Sequence, residues 1–256
     1  MLLKGKTCII AGSAAPQGIG RATARLFAEH GAQLVLADRS SSEQLANDFI
    51  EDVQAQTGIT PSIIAVACDI TNPDQCANLV LRAEEQFGRI DVLVNSAGVV
   101  ETRSLLDTEP ADLDLMIDVN LKGAFNLCQA ALRHFANRNS GVIVNLASLA
   151  AQRGGGLVGG AHYASAKGGV ISLTRSIARE FGPLGIRANV ICPAMAQTGM
   201  LKGITEADLA AIRETIPLRR LAKPSEVAGA CLFLASDLSS FVTGATLDVN
   251  GGLHIH

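Results

Sequence analysis

A chain of 256 residues, nearly half of them apolar and 25 of them glycine, has the length and composition of one well-packed α/β enzyme domain spanning residues 1–256. Its formal net charge is -3 with no basic block, which argues against nucleic acid as a partner. The start MLLKGKTCIIAG lacks the apolar core of a secretory signal and no apolar run is long enough to cross a bilayer, so a cytoplasmic protein without a membrane partner is expected.

Short β-branched runs alternate with longer segments of helical period, the mark of parallel βαβ units. Strands are predicted at Lys6–Ala11, Gln33–Ala37, Ser62–Cys68, Asp91–Asn95, Gly141–Ala147, Arg187–Ile191 and Thr246–Val249. Helices are predicted at Ile19–His30, Ser42–Gln56, Pro73–Phe87, Ala111–Arg138, Ala161–Phe181 and Ser225–Ala235. Several strands are apolar on both faces, which calls for helices on both sides of the sheet. The expected fold is a doubly wound, mostly seven-stranded parallel sheet of the Rossmann kind, with ligands at the carboxyl ends of its strands. Two stretches break the rhythm and are candidate loops over a site: Arg153–Gly160, and the substrate loop at about 194–221. Cys8, Cys68, Cys76, Cys128, Cys192 and Cys231 are scattered without metal-type spacing and read as buried thiols.

The first strand runs through Gly12 and Gly18-Ile19-Gly20 into a helix, a turn that lets backbone approach a pyrophosphate at free helix N–H groups. Asp38 ends the second strand, where a carboxylate accepts from ribose hydroxyls and repels a 2′-phosphate; NAD is expected over NADP. Arg39 dissents, since a guanidinium pairs with that phosphate or stacks on adenine. Asp69 either reaches the adenine or caps the helix from Pro73, although Thr71 and Asn72 are better placed as caps. Tyr163, the only tyrosine, stands four residues before Lys167 on one helical face. An ammonium beside a phenol favours the phenolate, which would lower the tyrosine pKa from about 10 toward working pH. A chance pairing of two surface residues is the alternative.

Taken in order, Gly12 with Gly18-Ile19-Gly20, Asp69, Asn95-Ser96-Ala97-Gly98, Asn120 in VNLKGAF, Ser148 in NLASLA, Tyr163 with Lys167, and the closing VNGG at Val249–Gly252 resemble the short-chain dehydrogenase/reductase family over essentially the whole chain. The resemblance implies an NAD(P)-dependent enzyme acting on a small-molecule secondary alcohol or ketone. Tyr163 would be its acid/base, Ser148 would hold the substrate oxygen, and Lys167 would tune the tyrosine and bind the nicotinamide ribose. Asn120 would steady a water linking Lys167 to solvent; its amide satisfying an irregularity in its helix is the other reading, and it does not exclude that role. Cofactor contacts would come from Gly12, Ser13, Gly18, Ile19 and Gly20, from Asp38, Arg39, Asp69 and Ile70, and from Asn95, Ala97 and Gly98. Tyr163, Lys167, Met195 and Thr198 would complete them.

Three features depart from the family pattern. Five residues separate Gly12 from Gly18 where three are common, Ala194 replaces a glycine after the sixth strand, and a long glycine-rich insert separates Ser148 from Tyr163. A polar rim of Gln152, Arg153, His162 and Gln197 suits a sugar, polyol or small hydroxy acid, with Arg153 and His162 as substrate candidates beside Ser148 and Tyr163. Leu157, Met195, Met200 and Leu201 would instead make an apolar wall. A 3-oxoacyl thioester reductase is the competing substrate reading. A non-catalytic dinucleotide-binding protein is the competing class, opposed by the intact Ser148, Tyr163 and Lys167. The resemblance also implies a homotetramer pairing Ala111–Arg138 and Ala161–Phe181 across an interface. The tail His254-Ile-His256 offers two histidines with no third ligand nearby in sequence, so no metal site is expected.

Overall fold

A computed structural model describes residues 1–155, 158–199 and 205–256. Seven parallel strands form one sheet: β1 Thr7–Ala11, β2 Gln33–Asp38, β3 Ile63–Ala67, β4 Val92–Asn95, β5 Gly141–Leu146, β6 Ile186–Pro193 and β7 Thr246–Val249. Their order is β3-β2-β1-β4-β5-β6-β7. The order reverses between β1 and β4, and the register pairs Ala11 with both Ala37 and Asn95, so these strand ends share one edge at the switch point.

Alternation along each strand builds two cores. Ile9, Val35, Leu93 and Ile143 pack on α3 (Pro73–Phe87), α5 (Gly123–Arg138) and the far part of α7 (Ala161–Phe181). Ile10, Leu34, Leu36, Val94 and Val144 pack on α1 (Ile19–Glu29), α2 (Glu43–Thr57) and α9 (Pro224–Ala235). Helices therefore cover both faces, as the doubly apolar strands require. All six cysteines are buried and free. Among the described residues no helix is long and apolar enough to cross a membrane.

Local signals explain the helix ends. Asn72 Oδ1 accepts from the amides of Asp74 and Gln75 at 2.9 and 3.2 Å, and Pro73 takes the first helical position. Gly88 closes the same helix in the left-handed conformation. Asp69 is thus not the cap of α3.

Two expectations are corrected. The single helix predicted over Ala111–Arg138 is three pieces: α4 (Pro110–Met116), a π-helical segment at Ile117–Lys122, then α5. The stretch expected as a loop at about 194–221 carries α8 (Glu206–Thr215), capped by Thr205 Oγ1, which accepts from the Asp208 amide at 3.1 Å. A short helix, α6 (Ala150–Arg153), also follows Ser148.

Candidate active site

A cleft of about 1160 Å³ opens at the carboxyl ends of the strands. It runs from Asp38, Arg39, Asp69 and Ile70, past the glycine turn, Ala97 and Gly98, to Ser148, Tyr163, Lys167, Met195 and Thr198.

At the turn, Gly12 has φ +77°, and a Cβ there would stand 2.6 Å from the Ala97 backbone nitrogen. Only glycine lets β1 and the segment after β4 meet this closely. Gly18 begins α1 without a side-chain cap and no acidic residue occupies the first turn, so its amides are available to an anion. The lengthened turn is tied down by two bonds. The Ala14 amide donates to Asp38 Oδ2 at 3.3 Å, and Ser13 Oγ donates to the Ala37 carbonyl at 3.4 Å. Asp38 is half-buried at the cleft wall. Asp69 Oδ1 accepts from the Thr71 hydroxyl and amide at 2.8 and 2.9 Å. Those bonds hold its carboxyl below the ordinary range, with a smaller contribution from the Arg39 charge.

On the opposite wall α7 places Tyr163 and Lys167 one turn apart. Gly159, at φ +86°, packs so tightly on the Tyr163 ring that a Cβ would fall 2.4 Å from Cδ1. Its amide is fixed by Thr102 Oγ1 at 2.9 Å, and that of Gly160 by the Glu101 carbonyl at 3.0 Å. The end of the stretch expected to be a mobile loop is thereby pinned.

The Tyr163 phenol shifts upward, opposite to the fall expected from a neighbouring Lys167 ammonium. Burial pushes the Tyr163 phenol up, a hydrogen bond from Ser148 draws it down, and negative charge on Cys192, when ionised, adds a smaller rise; the balance is upward. Lys167 is itself buried, donates from Nζ to the Leu146 carbonyl at 2.9 Å, and is drawn down to about 8 by desolvation. Its ammonium is engaged at the end of β5 and carries its own desolvation penalty. Ser148 Oγ also accepts from the Ala150 amide at 3.1 Å, which starts α6.

Asn120 lies in the π-helical segment and is 1% exposed. Its Nδ2 donates to the carbonyls of Val99 and Met116 at 3.0 and 3.2 Å, and its Oδ1 accepts from the Val99 amide at 3.2 Å. The side chain thus pairs with Val99 as a strand would, joining the segment after β4 to the helix. The helix-irregularity reading describes these bonds directly, and they occupy the amide on both sides. Gly98 approaches so closely that a Cβ would meet Asn120 Oδ1 at 2.6 Å and Lys167 Nζ at 3.1 Å.

Three sequence-predicted site residues stand behind the lining. Ser13 and Asn95 are buried, and Asn95 Oδ1 accepts from the Ala97 amide at 3.3 Å, shaping the wall from within. His162 is 3% exposed, packed beside Gly160 away from the lining, and neither ring nitrogen has a protein partner. Helical geometry turns it aside, since residues one apart face different directions. The polar rim is corrected with it. Gln152 is held by Asp248, and only Arg153 of the four rim residues lines the cleft, with Nη1 donating to the Leu253 carbonyl at 3.0 Å. Val100, Leu149, Val158, Met195, Ile212 and Leu253 make this end largely apolar among the described residues. Leu157, Met200 and Leu201 lie outside the described residues.

Ala194 is free of strain: Asn139 and Arg219 are the only described non-glycine residues with positive φ. Its amide donates to the Val249 carbonyl at 3.1 Å, so an alanine suffices there. Sequence reasoning missed Gly159, Val99, Cys192 and Leu253. The glycine-rich run hinted at the first, and nothing local marks the others.

A family model described as enoyl-(acyl carrier protein) reductase matches residues 12–254. The chain is 41% identical, over the whole of both chains, to an uncharacterized short-chain type dehydrogenase/reductase of Sinorhizobium fredii. It is 37% identical, again over the whole of both, to the 3-oxoacyl-[acyl-carrier-protein] reductase FabG of Thermotoga maritima. A crystal structure from Brucella melitensis described as a short-chain dehydrogenase/reductase, glucose/ribitol dehydrogenase, matches with TM-score 0.87 and 36% identity, covering 100% of this chain and 99% of that one.

Proposed function

Because the chain belongs to the short-chain dehydrogenase/reductase family, whose members are oxidoreductases using a nicotinamide nucleotide, we propose that it moves a hydride between NAD and a secondary alcohol or ketone, with Tyr163 as acid/base. The cofactor supplies the hydride chemistry; the protein supplies position and protons. What carries the reading is the meeting of Tyr163, Ser148 and Lys167 on one cleft wall, facing a glycine turn whose helix amides are free for a pyrophosphate. In the reductive direction the raised phenol of Tyr163 stays protonated through neutral pH and donates to the nascent alkoxide, while Ser148 holds the same oxygen. Residues 1–256 act as a single dinucleotide-binding domain, and Met195, Thr198 and Ile212 of the expected substrate loop face its cleft. Asn120 positions Lys167 through Gly98 and Val99.

Asp38 at the cleft wall favours NAD over NADP. Replacing Asp38 with Ala should cut the NAD preference about tenfold, roughly one charge-assisted hydrogen bond, as read from kcat/KM with each nucleotide. Unchanged discrimination would remove Asp38 from that role. For the substrate, the apolar lining supports a compact ketone over the sugar, polyol or small hydroxy acid that a polar rim would suit. A 3-oxoacyl thioester is the second reading, supported by the name of the Thermotoga relative and by the same apolar wall. Parallel assays with compact ketones, small hydroxy acids, polyols and a 3-oxoacyl thioester, each with both nucleotides, separate these. Tyr163→Phe should lower turnover about 10³-fold while leaving NAD affinity, measured by calorimetry, nearly intact. Turnover near wild type would refute Tyr163 as the acid. A homotetramer in a cytoplasmic setting completes the proposal, and Phe125 on α5, 49% exposed, offers an apolar contact for it.

A further inference from the structure

We propose that the carboxyl-terminal tail folds back on β7 to form a transition-metal site from Asp248, His254 and His256, with Gln152 as a fourth ligand. The turn that builds it is internally bonded. Asn250 Oδ1 accepts from the Gly252 amide at 2.9 Å, Asn250 Nδ2 donates to the His254 carbonyl at 3.0 Å, and the Leu253 amide donates to the Asn250 carbonyl at 3.2 Å. The chain is thereby curled so that both histidines stand over the Asp248 carboxylate, and the ligand atoms of all three lie within 4.8 Å of one another. His256 Nε2 is 3.2 Å from Asp248 Oδ2. Tetrahedral zinc, with ligands at about 2.0–2.1 Å, sets its donors roughly 3.3–3.4 Å apart, so this edge needs almost no movement.

The amide of Gln152 supplies the independent sign. Its Nε2 donates to Asp248 Oδ1 at 2.8 Å and sits 3.2 Å from His256 Nε2, while its Oε1 is buried with no partner. Rotating the amide would turn Oε1 toward a carboxylate oxygen and an imidazole nitrogen, a contact that a cation between them makes favourable. Two imidazoles, a carboxylate and an amide oxygen form a borderline donor set, suited to Zn²⁺, Co²⁺ or Ni²⁺ and poor for Mg²⁺. Counted along the sequence the tail has two histidines; the third ligand becomes visible only when β7 is in place. The site also has a bearing on the cleft, because Leu253 lines it and is held by Arg153 on the same α6 that carries Gln152.

The test uses untagged full-length protein stripped with a chelator, titrated with Zn²⁺ by calorimetry and with Co²⁺ by visible absorption. One equivalent per chain is expected, with a tetrahedral Co²⁺ spectrum, a Tm rise on the order of 5 °C at about 100-fold excess over Kd, and no response to Mg²⁺. His256→Ala, at the last residue, and Asp248→Asn should each weaken Zn²⁺ binding at least about tenfold. No saturable Zn²⁺ binding would overturn the site. Binding by Asp248→Asn as tight as wild type would reduce the tail to an exposed histidine pair. One metal per two chains with an increase in particle size would replace the intrachain site by a bridge.

Discussion

The two ends of the cleft are built by different means. At the nucleotide end the tightest contacts are main chain: Gly12 against Ala97, free amides at the start of α1, and the Ala14 amide on Asp38. At the substrate end the walls are side chains borrowed from distant stretches, with Leu149 and Arg153 after β5, Met195 and Ile212 from the segment after β6, and Leu253 from the tail. A site made of backbone tolerates few sequences, and one made of side chains on connecting segments can be re-cut without disturbing the sheet. Cofactor binding common to a family sits naturally on the first kind of wall, and substrate choice on the second.

Substitutions can break or sharpen that contrast. Gly12→Val combines a β-branched residue at φ +77° with a backbone clash, and nucleotide affinity should fall about 100-fold or more by calorimetric titration. If Gly12→Val binds nucleotide normally, the main-chain wall is not the constraint described. Gly159→Ala should displace the Tyr163 ring, lowering kcat roughly 10- to 100-fold with nucleotide affinity within about twofold. Loss of binding instead of turnover would mean that the two ends are not separable. The smallest effect is one of stability. Lys167 has a depressed pKa of about 8 against about 10.4 in the unfolded chain, so between these values the unfolded state holds more protons and stability rises with pH. Below pH 8 its charge is a burden on the fold. Lys167→Met should therefore be more stable at pH 7 by about 1–2 kcal/mol after loss of the bond to Leu146, with the gain vanishing near pH 10. Urea melts at the two pH values measure this, and a destabilised Lys167→Met at pH 7 would contradict the buried-charge account.

The sequence made the sheet legible because strands covered on both faces leave an apolar signature that little else imitates. The Pro73–Phe87, Ala161–Phe181 and Thr246–Val249 boundaries coincide with prediction, the first because Asn72, Pro73 and Gly88 are unambiguous stop and start signals. Thr205 and Asp208 carried a comparable signal for α8 that went unread. Other features had no local cause to read. IDVNLK contains neither proline nor glycine, and its widened turn depends on Val99, 21 residues away. The direction of the Tyr163 shift likewise depends on burial and on Cys192, neither of which is visible from the spacing of Tyr163 and Lys167. His162 lies off the cleft lining for the plainest reason, that adjacency in sequence on a helix is not adjacency in direction.

The π-helical segment has one more implication. Such a turn accommodates a residue more than an α-turn of the same rise, so Ile117–Lys122 behaves as an insertion absorbed inside a helix, where most insertions are expelled into loops. Deleting one residue from it would let α4 and α5 fuse into a regular rod, at the cost of rotating Asn120 out of step with the chain after β4. The helix thus stores a register offset, and the clamp on Val99 is what keeps it from relaxing.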